Sequence, residues 1–131
     1  MQKGKAGGVV PGKPIPVSEH PHPPTVENLR LILLRSIEHG VIIPSDHFNS
    51  RCTERGFCWL DAEVLVEEGT IVSGPDYDPQ FHSFQCEIEG RIDGKSWRLV
   101  TALDCNSDYL KSPRVILVTV HRSRPRRVQR K

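Results

Sequence analysis

Two periodicities divide the chain. Between Val26 and Ile37 the apolar residues Val26, Leu29, Leu33 and Ile37 recur at helical spacing. They predict a helix entered at Thr25, whose hydroxyl suits the orphan amides of a first turn, and closed by Gly40. Leu31, Ile32 and Leu34 widen the stripe, so cover on more than one side is expected. Val41-Ile42-Ile43-Pro44 reads as an extended link. Ser45 or Asp46 then caps a short second helix that runs to Arg55 and stops at Gly56. A third helix is expected from about Trp59 to Glu68, with Cys58 at the cap and Asp61 in the first turn, where a carboxylate suits the positive helix end. Leu60, Val64 and Leu65 form its expected inner face.

After Gly69 the period becomes two. Thr70-Ile71-Val72 is a short strand, and Gly74-Pro-Asp-Tyr-Asp-Pro79 a turn-rich loop. Phe84, Cys86 and Ile88 alternate with polar residues, and Asp93-Gly94 is a two-residue hairpin turn. The return strand places Trp97, Leu99, Thr101 and Leu103 on one face, and Val115–Val120, apolar on both faces, suits a central strand. The expected class is α+β: two to three N-terminal helices packed on a four-stranded, mostly antiparallel sheet, one domain over residues 25–122.

Composition adds the flanks. Six prolines and four glycines within residues 1–24 deny both helix and ladder bonds, which predicts a flexible or polyproline-like leader. Residues 121–131 hold six cations and no acid, whereas residues 25–120 hold nine cations and fifteen acids, a net of −6. The acidic body thus ends in a basic tail from residue 123, which either tracks nucleic acid or an acidic partner or is simply solvated. No apolar run approaches a membrane span, and the N-terminus shows no apolar signal stretch, so no membrane association and a cytoplasmic location are expected, unless export takes another route. Cys52, Cys58, Cys86 and Cys105 contain no C-x-x-C pair, and buried free thiols are expected, with no metal or other cofactor.

The chemical signal lies in His47-Phe-Asn-Ser-Arg51-Cys-Thr-Glu-Arg55-Gly56. His47, Arg51 and Arg55 are four apart and form one stripe of the second helix, while Phe48 and Cys52 form the neighbouring, core-facing stripe. An imidazole and two guanidiniums along the edge of the core suit an anionic ligand. The competing account is a solvated face with Arg51 and Arg55 paired to Glu54 or Asp61. By alternation His121 falls on the face of Val115, Leu117 and Thr119, with Arg122 on the other.

The order His-x-x-x-Arg-x-x-x-Arg-Gly, a capped helix ending Glu-Glu-Gly, and Thr-Ile-Val, followed by Glu89-Gly-Arg-Ile-Asp-Gly94, the strand Trp97–Leu103 and Val115-Ile-Leu-Val-Thr-Val-His-Arg122, resembles a bacterial family known as domain of unknown function 4258. The resemblance covers about residues 45–122. It implies the fold of RelE-like and MqsR-like toxins and other small ribonucleases. It also implies metal-independent RNA cleavage, an RNA partner that is in some cases ribosome-associated, and neutralisation by an antitoxin protein. In such cleavage the 2′-hydroxyl attacks the neighbouring phosphate, which needs a base, an acid and positive charge on the phosphorane. His47 is then base or acid, Arg51 and Arg55 clamp phosphate, His121 is the second proton carrier, and Arg98 and Arg122 are further substrate contacts. Phe81, His82 and Trp97 are candidate base stackers, each better explained by packing or as incidental. The acidic body and the few aromatics keep a second class open, a non-catalytic protein- or nucleic-acid-binding module with the same fold.

Overall fold

The computed structural model describes residues 22–123, so most of the expected leader and the tail beyond Ser123 lie outside the described residues. The order is α1 (Val26–His39), β1 (Val41–Pro44), α2 (Asp46–Arg55), α3 (Trp59–Glu68), β2 (Thr70–Asp78), β3 (Ser83–Ile92), β4 (Lys95–Asp104) and β5 (Arg114–Arg122). The class is α+β with three helices, but the sheet has five strands in the order β1-β5-β4-β3-β2 and is mixed. The extended link is the fifth strand. Val41–Pro44 pairs in parallel with Arg114–Leu117, beside an otherwise antiparallel meander.

The helix boundaries follow local chemistry. The Thr25 hydroxyl accepts the Asn28 amide at 3.1 Å, and the Ser45 hydroxyl accepts that of Phe48 at 3.0 Å. Gly56 closes α2 at φ 70°, a left-handed conformation that glycine adopts without a Cβ penalty. The Asp61 carboxylate reaches back to the Cys58 amide at 3.0 Å. At the hairpin, Asp93 and Gly94 take φ values of 53° and 80°, as a primed turn requires.

The core lies between the helices and one sheet face. Leu29, Leu33, Phe48 and Leu65 meet Phe84, Ile88, Leu99, Leu103, Val115, Leu117 and Val120 there, all 2% exposed or less. Trp97, Leu99, Thr101 and Leu103 do share the buried face of β4. Two expected faces shift. In α1 Ile32 is buried and Leu34 packs partly against the core, widening the stripe as expected, but Leu31 is 56% exposed; α3 buries Leu65 as expected, with Ala62 and Val66, while Leu60 is exposed. The loop expected after Val72 is also strand. β2 continues through Gly74 and Pro75 to Asp78 by shifting register twice, and as an edge strand it tolerates a proline without an amide donor.

Gly40 marks the tightest turn between α1 and β1. Its amide donates to the Ser36 carbonyl at 3.2 Å, and the next amide, of Val41, donates to the Pro113 carbonyl at 3.0 Å. A Cβ at Gly40 would stand 2.2 Å from the Pro113 carbonyl oxygen and 2.9 Å from the Ser36 Cα, both backbone atoms that cannot swing aside. Gly40→Ala should therefore destabilise by about 1–3 kcal/mol, read as a lower urea midpoint, by separating β1 from β5.

Candidate anion-binding site

α2 is set against β5 by the end of β1. Because β1 stops opposite Leu117, no described strand flanks residues 118–122 of β5 on that side, and α2 packs against β5. Ser45 makes the join: its amide donates to the Leu117 carbonyl at 3.0 Å and its hydroxyl to the Val118 carbonyl at 2.8 Å. Phe48 then buries into the core and Cys52 packs against it. The adjoining stripe of His47, Arg51 and Arg55 is carried along the open side of β5. The Arg51 Nε lies 3.5 Å from the His47 Nε2, a long contact, and one guanidinium nitrogen pairs with Glu54 at 2.9 Å.

His121 enters this group through an irregularity in β5. The register against β4 shifts between Val100↔Thr119 and Thr101↔Leu117, so one extra β5 residue is accommodated there. Val115 and Leu117 point inward before the shift and Val120 after it. His121 therefore does not share the face of Val115 and Leu117, as uninterrupted alternation predicts, but the opposite, helix-free face. It pairs across the strands with Arg98, which shares that face. Burial first, then the charges of Arg55 and Arg98, and more weakly Arg51, push the His121 imidazole below the ordinary histidine value of 6.5, while Glu87 pulls the other way.

Arg98 is held from the far side. Its two terminal nitrogens bond to Glu87 at 3.1 Å and Glu89 at 2.8 Å. Its buried Nε has no hydrogen-bond partner among the described residues. These carboxylates were not among the expected site residues. Arg122 stands apart from the group: it pairs opposite Trp97 on the other face, with its guanidinium carbon 5.4 Å from that ring and its Nε donating to the Ser96 carbonyl at 3.3 Å. Of the candidate stackers, Trp97 is buried and His82 is engaged by the Tyr77 hydroxyl at 2.7 Å. Phe81 is 67% exposed.

The fold thus gathers Arg51, Arg55, Arg98 and His121 into one electrostatic group, with His47 joined through Arg51. Among the described residues Arg55 takes part in no ion pair, whereas Arg51 and Arg98 are partly neutralised by glutamates. Such a group can hold an anion against Arg55 and accept a proton at a largely neutral imidazole. Among the described residues no helix is long and apolar enough to cross a membrane. The chain matched no family model, no curated protein and no solved structure.

Proposed function

We propose that the group around His121 is the active site of a ribonuclease that cleaves RNA without a metal ion, as the resemblance of residues 45–122 implies. The observation that carries this reading is the environment of His121: a half-buried imidazole held neutral near pH 7 beneath the charges of Arg55, Arg98 and Arg51. A neutral imidazole beside an unneutralised guanidinium meets the two needs of phosphodiester transfer, a base and a fixed positive charge. His121 takes the proton of the ribose 2′-hydroxyl as its oxygen bonds to phosphorus. Arg55 and Arg51 balance the charge of the phosphorane. The bond to the 5′-oxygen breaks, and His47 supplies the proton to that leaving group. The products are a 2′,3′-cyclic phosphate and a 5′-hydroxyl. Arg98 acts on His121 through its charge, and Glu87 and Glu89 fix its fork.

The second reading, a non-catalytic module, is favoured by the same ion pairs, since Glu54, Glu87 and Glu89 satisfy two of the three arginines internally. One experiment separates the two. Purified protein incubated with RNA in excess chelator should generate ends of the cyclic-phosphate and 5′-hydroxyl type, and His47→Ala and His121→Ala should each suppress them. RNA that is bound but left intact, or cut equally well by both variants, overturns the catalytic reading. A toxin should also arrest growth on expression and be relieved by a co-expressed antitoxin partner.

A further inference from the structure

The helix-free face of the sheet carries a second feature beyond the His121 group. A row of paired residues, Gln85, Ala102, Ile116 and Ile43, crosses four strands on this face. Together with Val118 it floors an open cleft of about 500 Å³. Phe81, projecting from the turn before β3, stands at its rim. Ser83 lines the cleft, and its hydroxyl, in a residue only 2% exposed, has no hydrogen-bond partner among the described residues. Gln85 gives its amide nitrogen to Asp78 at 3.4 Å, which leaves its amide oxygen as an acceptor. Asn106 brings a further donor and acceptor to the wall.

We propose that this cleft binds a nucleobase, that of the nucleotide whose phosphate lies at the His121 group. The cleft offers an apolar floor of Ile43, Ala102, Ile116 and Val118, one exposed ring to stack on, and hydrogen-bonding groups from Ser83, Gln85 and Asn106 around it, with the Asp104–Arg114 pair also in its lining. This is the complement of a planar heterocycle with polar edges rather than of an alkyl chain. An apolar occupant would leave the Ser83 hydroxyl unpartnered, whereas a base edge supplies both donors and acceptors. Position supports the link between the two sites. Ala102 and Arg98 are four residues apart on β4, about 13 Å, and Val118 and His121 three apart on β5, about 10 Å, so both sites lie along one strand pair on the same face. The link rests on the phosphate reading given above; binding of the base itself does not.

The test is a titration of the full chain with the four ribonucleosides and their 3′-monophosphates at millimolar concentration, followed by amide and imidazole NMR shifts. At least one nucleoside should move the Ser83, Ala102 and Ile116 amides and leave the His121 ring unmoved, and its 3′-monophosphate should move both sets. Phe81→Ala, a change at an exposed side chain, should weaken the nucleoside at least about fivefold. Ala102→Phe should fill the cleft and abolish those shifts, while inorganic phosphate still moves His121. If no nucleoside moves the cleft amides, or if neither substitution weakens binding, the base site is overturned, whatever the chain does to RNA. If nucleosides bind the cleft but the monophosphate gains nothing and leaves His121 unmoved, the base site stands and the phosphate reading fails.

Discussion

Replacing Phe48 by alanine is expected to cost about 3–5 kcal/mol of stability, the range for deleting a fully buried aromatic ring. Phe48 is 1% exposed. Its ring meets Phe57 edge-on, with centroids 6.3 Å apart, and Phe57 in turn lies 4.8 Å from the ring of Trp97. It is also the one buried residue of α2, so this single side chain anchors the helix that bears His47, Arg51 and Arg55. The urea midpoint should fall with an unchanged slope, and Phe48→Leu should cost less, because it keeps most of the buried volume. A second readout concerns the site. With α2 loosened, Arg55 no longer sits against His121, and the imidazole should titrate closer to 6.5 than in the parent protein. A cost under about 1 kcal/mol would mean that α2 is held by Ser45 and its strand contacts rather than by the ring.

That dependence of site on core was partly legible in the sequence. The stripe of His47, Arg51 and Arg55 beside the Phe48 stripe follows from helical spacing alone, and the caps at Thr25 and Ser45 fix where the helices begin. The glutamates around Arg98 were legible too, but only through the hairpin. With Asp93-Gly94 as the turn, Ile92 pairs with Lys95, and counting outward sets Glu89 opposite Arg98. Three features left no local trace. β1 is four residues long, ends in proline, and owes its strand character to parallel pairing with a segment more than seventy residues away. β2 carries Gly74-Pro75, turn chemistry that an edge strand absorbs through register shifts. The extra residue of β5 near Val118 is invisible in a run apolar on both faces, yet it decides which side His121 takes. A one-residue change of register moves a side chain to the opposite face, so His121, the proposed proton carrier, is placed on the other side by uninterrupted alternation for a reason that pairing alone reveals.

His121→Ala should lower the kcat/KM of RNA cleavage by about 10²- to 10⁴-fold, the usual worth of a positioned acid or base. The pH profile makes the role specific. Because burial, Arg55 and Arg98 hold the imidazole below its ordinary value, the proposed base is neutral above a midpoint lower than 6.5, and the acidic limb of kcat/KM should fall there. His121→Ala should erase that limb. Arg55→Gln should keep it but move it upward, since one of the depressing charges is gone, while also losing about 10²- to 10³-fold through the uncompensated phosphorane. Stability should fall in the same direction. A histidine whose folded value is depressed takes its proton more readily in the unfolded chain, so the parent protein loses stability as pH falls through 6.5 towards the folded midpoint. His121→Ala removes that loss. A variant that is inactive, yet whose stability falls less towards acid than that of the parent, fits a proton carrier under positive charge. A variant that is weakened equally at every pH, with the rate limb intact, would make His121 a packing residue and leave the site without its base.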